Sequence, residues 1–294
     1  MNRQAIPKIL GVLGVLFLLT FPIYGSGQEY IMHLWITAFF YAILASSWSL
    51  LAGYAGQFSF GHMAFMAIGA YGAGLFTNYV RITTAATNLC TEFQFGSRWV
   101  VFLNAQGVTN NAATCLDIAK ETMPAGTAII QPSIWNGVLV GTIAGAVFGW
   151  LIGVLVLRLR STYLALFTIG FSEILRAAIS AEINLTRGQA GLELPPLFPN
   201  GLEILGMSFS EADKIPPYYV MLTLFLISLA LMGWLAQSRF GLFIRSIRED
   251  EEAAAALGVN VLRYKVLAFV ITSTLAAAAG AVQGYYIAII TPNI

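Results

Sequence analysis

Long runs of apolar residues are the feature that most limits how this chain can fold. A helix needs about 20 mostly apolar residues to cross the hydrocarbon core of a bilayer, and seven stretches meet or approach that length. They are residues 9–24, 30–52, 63–80, 134–157, 163–181, 218–236 and 266–290. Charged residues make up only 10% of the chain, against about 25% in soluble domains. The sequence therefore predicts an all-α, polytopic membrane helix bundle of about seven transmembrane helices.

The first apolar run allows two interpretations. Arg3 and Lys8 precede it and Gly25 and Gly27 follow it, as in a signal peptide. No A-x-A cleavage pattern is present, and the next apolar run begins almost at once. We therefore favour an uncleaved span over a signal peptide.

The basic residues favour an inner N-terminus, because Lys and Arg concentrate in inner segments when the spans alternate from that side. The inner group is Arg3, Lys8, Arg158, Arg160, Arg239, Arg245, Arg248, Arg263 and Lys265, and the smaller outer group is Arg81, Arg98, Lys120, Arg187 and Lys214. A formal net charge of +1 provides no basic field for counterion release, so no nucleic-acid partner is expected.

The two cysteines, Cys90 and Cys115, fall in a predicted outer loop at residues 81–131. The outer compartment permits disulfides in bacteria and in secretory pathways, so a bridge is favoured over two free thiols. With two histidines in the chain, the cysteines match no recognised zinc-ligand spacing. No metal site or cofactor is expected.

Small residues recur on two spans. On the fourth span a glycine occurs every four residues, which lines one helix face and lets a neighbouring helix approach closely. These glycines are Gly137, Gly141, Gly145, Gly149 and Gly153. Ala276, Gly280 and Gly284 repeat the pattern on the last span. The pattern predicts tight helix packing and says little about function.

An uncharged, glycine-rich segment at residues 53–62, GYAGQFSFGH, joins the second and third spans. Irregular backbone at membrane depth is tolerated only against protein or a water-filled cavity, and broken helices often mark a transporter's substrate path. The alternative is a short inner turn whose His62 faces solvent, and composition does not decide between them. The pathway interpretation would involve Gly53, Gly56, Gln57, Ser59, Gly61 and His62.

Two opposite charges, Glu173 and Arg176, lie three residues apart near the middle of the fifth span. They share a helix face and can pair. Charges at that depth usually face a bundle interior or a pathway. We expect a buried structural ion pair and keep direct substrate contact as the alternative.

Residues 238–264 form the most specific segment, with acidic residues at 249–252 followed by an alanine run and Gly258. Carboxylates favour the positive end of a helix dipole, and glycine is typical just beyond a helix end. A short inner helix is predicted whose small side chains can enter a groove on a partner. An interfacial helix is the alternative, but its apolar face is small for lipid binding.

These motifs together resemble the integral-membrane permeases of bacterial branched-chain amino-acid ABC importers. Glu252, Ala253, Ala254 and Gly258 match the E-A-A-x-x-x-G loop with which such permeases dock on their ATPase. Residues 53–62 resemble the family's glycine-rich signature, and YLALFTIGFSEILR at 163–176 and TRGQAGL at 186–192 match further segments. The resemblance implies one permease domain over residues 1–294, with 81–131 as an outer insertion and 238–264 as a cytoplasmic coupling loop.

The chain also departs from the family pattern. Family members continue beyond the equivalent of Thr291 and Pro292 with further spans, so we expect this chain to lack the family's C-terminal spans. Arg187 occupies a position that is often glycine or asparagine.

The resemblance also implies partners. No G-x-x-x-x-G-K-[ST] phosphate loop occurs, so ATP hydrolysis is expected on separate ABC ATPase subunits. A periplasmic substrate-binding protein and a second homologous permease would complete the importer in the bacterial cytoplasmic (inner) membrane. Permeases for urea or short amides are the nearest alternative, and a non-transport structural membrane protein is the alternative of another class. An intramembrane enzyme is disfavoured because His62, Glu173 and Arg176 match neither a serine-protease triad nor H-E-x-x-H.

Overall fold

The computed structural model of the protein describes residues 5–25, 27–84, 91–102, 123–157, 161–198, 202–204, 207–210 and 213–293. Each predicted apolar run is occupied by a helix, which confirms an all-α membrane bundle. In chain order the helices are α1 Ala5–Gly25, α2 Glu29–Trp48, α3 His62–Thr77, α4 Ile134–Val156, α5 Ser161–Ala181, α6 Ile183–Thr186, α7 Ile215–Gln237, α8 Arg239–Glu249, α9 Glu251–Ala256 and α10 Val261–Ile287. A π-helical segment, Ser49–Tyr54, extends α2, and Gly188–Ala190 is a 3-10 turn.

Five of the helices in the described ranges are long and apolar enough to cross a membrane. They are Glu29–Tyr54, Ile134–Val156, Tyr163–Ala181, Ile215–Gln237 and Val261–Ile287. The apolar part of α1 is shorter, and α3 has 16 residues. The count of seven spans and the inner N-terminus remain predictions.

The centre of the bundle is built by α3, α4 and α10, which approach one another through glycine. A Cβ atom at Gly141 of α4 would overlap the backbone carbonyl oxygen of Gly69 on α3. A Cβ at Gly280 of α10 would overlap the carbonyl of Met66 on α3. The predicted packing role of the glycine face is therefore confirmed, and α10 is the most enclosed of the long helices.

A second layer of helices packs through aromatic rings. Phe39 of α2 stacks on Phe225 of α7 with ring centroids 5.4 Å apart. The Tyr218 hydroxyl donates to the Leu18 carbonyl at 2.8 Å, and the Tyr219 hydroxyl donates to the Leu19 carbonyl at 3.0 Å. These bonds attach α1 to the start of α7.

Short strands lie between the helices. They are β1 Tyr79–Ile82, β2 Thr91–Phe95, β3 Arg98–Phe102, β4 Ile129–Ile130, β5 Leu192–Glu193, β6 Leu202–Ile204, β7 Met207–Phe209 and β8 Ile289–Ile290. The first four form an antiparallel sheet in the order β2-β3-β1-β4, with Val80 opposite Val101. This sheet lies in the predicted outer loop, for which no strands were predicted.

The region beyond α5 has two further strand pairs, β5 with β8 and β6 with β7. Leu192 pairs with Ile290, which ties this region to the end of α10. Arg187 has a left-handed backbone with φ of 60°. That conformation favours glycine or asparagine over arginine.

Candidate functional site

The short helix α9 starts and stops as its sequence predicts. The Asp250 carboxylate caps it by accepting hydrogen bonds from the backbone N–H groups of Glu252 and Ala253, at 2.9 and 3.0 Å. Beyond its end, Val259 N–H donates to the Ala254 carbonyl and Gly258 N–H donates to the Ala255 carbonyl. Gly258 has φ of +86°, the left-handed conformation that completes this Schellman motif.

Ala254 does not lie on the exposed face of α9, although its small side chain was expected to face a partner. Glu252, Ala253 and Leu257 are exposed, with 86% of Leu257 accessible, whereas Ala254 is 3% exposed. Successive helical residues lie about 100° apart, so Ala253 and Leu257 share the outer face and Ala254 turns inward. Ala254 therefore faces the rest of the chain, and its part in ATPase coupling stays a prediction. Its small side chain lets α9 pack on the rest of the chain.

A buried ion pair holds α9 against the central helix α10. Lys265 is 4% exposed, and its ammonium group pairs with the Glu251 carboxylate at the start of α9. The prediction placed Lys265 in an inner loop, but α10 already begins at Val261 with the Asn260 side chain as its cap. A buried ammonium group needs a partner, so Glu251 and Lys265 link the two helices firmly.

The glycine-rich segment at 53–62 lies against protein. The Trp48 indole donates to the Ser59 carbonyl at 2.9 Å, and Phe60 N–H donates to the Thr168 hydroxyl at 3.0 Å. Gln57, Ser59 and His62 are buried. The interpretation in which His62 faces solvent is therefore wrong. Both ring nitrogens of His62 and the Gln57 Oε1 are buried without a hydrogen-bond partner among the described residues.

Helix α8, which lies within the predicted coupling loop at 238–264, contacts the glycine-rich segment. The Arg248 guanidinium donates to the Gly53 carbonyl at 2.6 Å, and the Arg245 guanidinium lies 4.7 Å from the centre of the Tyr54 ring. Gly56 has φ of +65°, and a Cβ there would lie 2.9 Å from Arg248 Cγ. Sequence reasoning missed both arginines as contacts of this segment. Arg245 and Arg248 are three residues apart and so share one helix face, and this spacing was the signal in the sequence that could have indicated the contact.

Glu173 and Arg176 form the predicted ion pair on α5, but the pair is not buried within this chain. Arg176 Nη2 lies 2.8 Å from Glu173 Oε2, and the two side chains are 48% and 62% exposed. Expecting a buried pair was wrong because α5 packs on the bundle over a small part of its surface. The charged groups instead border a cavity of about 130 Å³ between α3, α5 and α10.

Cys90, Cys115 and residues 103–114 between them lie outside the described residues, so the disulfide stays a prediction.

The apolar helices, the glycine-packed core and the capped helix α9 define a polytopic helical membrane protein. The family described as "Branched-chain amino acid transport system / permease component" matches residues 30–294. The chain belongs to this family of membrane permeases.

Three relatives show the range of similarity. The high-affinity branched-chain amino acid transport system permease LivM of Escherichia coli is 32% identical over 165 residues, which are 50% of this chain and 38% of LivM. The corresponding permease LivH of Salmonella typhimurium is 37% identical over 114 residues, 38% of this chain and 37% of LivH. The nucleoside ABC transporter permease NupC of Lactococcus lactis is 26% identical over 160 residues, 50% of this chain and 47% of NupC.

The matched part of the chain thus spans less than half the length of these three relatives. No solved structure matches the chain.

Proposed function

We propose that this chain is the permease subunit of an ATP-driven importer for branched-chain amino acids in a bacterial cytoplasmic membrane. It would form part of the translocation pathway and couple to a separate ATPase. The family membership and the names of the LivM and LivH relatives support the cargo class. They also support a second permease as partner, while the ATPase and a periplasmic binding protein follow from the resemblance.

The observation that carries this proposal is the exposed face of α9 and its attachments. A short, capped helix presents the small Ala253 beside the fully projecting Leu257, which suits insertion into a groove on another protein. Behind that face, Glu251 is paired with Lys265 of α10. Arg248, just before α9, is bonded to Gly53 of the glycine-rich segment. Force applied to α9 therefore has two direct routes into the membrane helices.

Enlarging the exposed face tests the proposal. In the complete complex, Ala253→Trp should abolish ATP-driven leucine uptake and co-purification of the ATPase, because the groove cannot accept the larger side chain. Membrane insertion should be unchanged. Ala125→Trp, at an exposed position in the predicted outer loop, is the matched control and should transport normally. Normal uptake and co-purification in Ala253→Trp would remove the main support for coupling through α9.

The same assay separates the cargo classes. Leucine, urea and a nucleoside are offered in turn to the complex, since urea is the alternative cargo that the resemblance left open and one relative is named as a nucleoside permease. We expect uptake of leucine. Uptake of urea or the nucleoside alone would replace the cargo and leave the permease role intact.

A further inference from the structure

The cavity between α3, α5 and α10 combines two kinds of wall. One wall is apolar and includes Met66 and Ala70 of α3 with Ile287 and Ile290 near the end of α10. The other wall contains the Glu173 and Arg176 pair of α5. Mostly apolar pockets with a few convergent polar groups are typical of small-molecule sites.

A polar side chain enters the cavity from the opposite helix. Gln283 of α10 lines the cavity, is 7% exposed, and its Oε1 is buried with no hydrogen-bond partner in the described part of the chain. A buried carbonyl oxygen without a donor carries a cost of about 1–3 kcal/mol. It is therefore an unpaired acceptor in the cavity wall, and a donor group of a ligand would satisfy it once the side chain turns toward the cavity.

The charges match one class of ligand. A zwitterion carries an ammonium and a carboxylate close together, and Glu173 and Arg176 present the two complementary charges side by side. The Nε and Nη2 groups of Arg176 both donate to Glu173 Oε2, at 3.0 and 2.8 Å, which leaves Nη1 and the second Nη2 hydrogen to donate to a ligand carboxylate. The Glu173 carboxylate and the Gln283 carbonyl are both acceptors for an ammonium group. An uncharged amide or nucleoside gains much less from two adjacent opposite charges.

The size of the cavity also fits. A water molecule needs roughly 10–15 Å³ on the same volume measure, so the space accommodates on the order of ten water-sized groups. A medium-sized amino acid such as leucine is of this size. Its branched side chain would lie on Met66, Ala70 and Ile287, which form the apolar wall.

We propose that this cavity is a binding site for a zwitterionic amino acid with an aliphatic side chain. Arg176 binds the carboxylate, Glu173 and Gln283 bind the ammonium group, and α3 and α10 enclose the side chain. The inference rests on the proposed transport function and names the substrate-binding residues within it.

Photo-leucine, an analogue with a diazirine on the aliphatic side chain, tests the site in the complete, reconstituted complex. Illumination should label peptides from residues 63–71 and 280–290, and excess leucine should suppress the labelling. Leucine uptake and ATP hydrolysis are measured on the same preparation. If leucine is taken up but these peptides are not labelled, the site is wrong and the proposed function stands. If the complex takes up no leucine, the proposed cargo fails and the site fails with it.

Variants separate binding from a structural role of the ion pair. Arg176→Gln should require roughly tenfold more leucine to suppress labelling, as expected for losing a hydrogen bond to a charged group. Arg176→Lys should retain part of the affinity because the positive charge remains. Arg81→Gln removes an exposed cation of β1 and should leave unchanged the leucine concentration that suppresses labelling. If the same leucine concentration suppresses labelling in wild type, Arg176→Gln and Glu173→Gln, then Arg176 and Glu173 do not bind the ligand.

Discussion

Lys265 carries a positive charge into the buried part of α10, and its partner Glu251 is half-exposed at the start of α9. Glu251→Gln would leave the ammonium group in place with a weaker, neutral acceptor. We expect the free energy of unfolding to fall by about 2 kcal/mol, within the range for uncompensated buried polar groups. Thermal unfolding of the purified complex measures the loss.

Glu249→Gln is the control for this change, since Glu249 is 78% exposed and lies 3.8 Å from Arg248. Exposed pairs usually contribute under about 1 kcal/mol, so this variant should unfold like wild type. Pairing Glu251→Gln with Lys265→Met should recover stability because no buried charge remains. Equal free energies of unfolding for wild type, Glu251→Gln and the double variant would show that the pair does not hold α9.

Gly258 gives a second residue-scale prediction. No atom lies within 4 Å of the place where its Cβ would stand, so space does not forbid a side chain. The backbone does, because φ of +86° is strained for residues with a Cβ. Gly258→Val should lower leucine uptake strongly, and Gly258→Asn should lower it less because asparagine tolerates left-handed backbone. A larger loss for asparagine than for valine would show that backbone strain is not the cause.

At the residue scale the sequence predicts which residues begin and end a helix better than it predicts which way a side chain faces. The cap at Asp250 and the stop at Gly258 follow from local rules, and α9 shows both. The inward position of Ala254 depends on how a six-residue helix is rotated, which an almost uniform alanine run does not encode. The contact of Arg248 with Gly53 joins residues distant in sequence and needs the tertiary fold.

Among the helices, α4 is defined by its glycine face more than by its apolar length. A methyl group at Gly141 would overlap the backbone carbonyl of Gly69, and backbone cannot move aside as a flexible side chain can. Gly141→Ala should therefore separate α3 from α4 at a cost of about 1–3 kcal/mol, the usual range for overpacking. The folded yield after detergent extraction reports the effect.

Gly233 of α7 provides the matched control, because no atom lies within 4 Å of its Cβ position. Gly233→Ala should extract normally. Reduced yield for Gly233→Ala but not Gly141→Ala would contradict close packing as the role of the α4 glycines.

Element boundaries were predictable where apolar length decides them. The predicted run at 134–157 matches helix α4, Ile134–Val156, except for its last residue. The run at 63–80 was assigned too long, since α3 ends at Thr77 and Tyr79–Ile82 forms β1. Apolar composition does not distinguish the end of a span from an adjoining strand. The pairing of β1 with β3, including Val80 opposite Val101, decides it in the fold.

For the whole molecule, α10 connects the two proposed sites. Lys265 near its start is paired with α9, and Gln283 near its end lines the cavity. These two residues are 18 positions apart, which corresponds to roughly 27 Å at 1.5 Å per helical residue. Glycine contacts with α3 and α4 hold the same helix rigidly. A displacement of α9 would therefore reach the cavity through one continuous element.

The basic residues predict the orientation of this arrangement in the membrane, and the orientation decides which side α9 faces. With an inner N-terminus, Leu257 of α9 is inside and Ala125 of the loop before α4 is outside.

Single cysteines at these two positions, in a chain whose Cys90 and Cys115 are replaced by serine, can be treated in intact cells with a membrane-impermeant maleimide. Both positions are exposed, so access to the thiol depends on the side of the membrane. We expect Ala125→Cys to be labelled in intact cells and Leu257→Cys only after the cells are opened. Labelling of Leu257→Cys in intact cells would place α9 outside, where no ATPase can reach it, and would overturn both the topology and the coupling role.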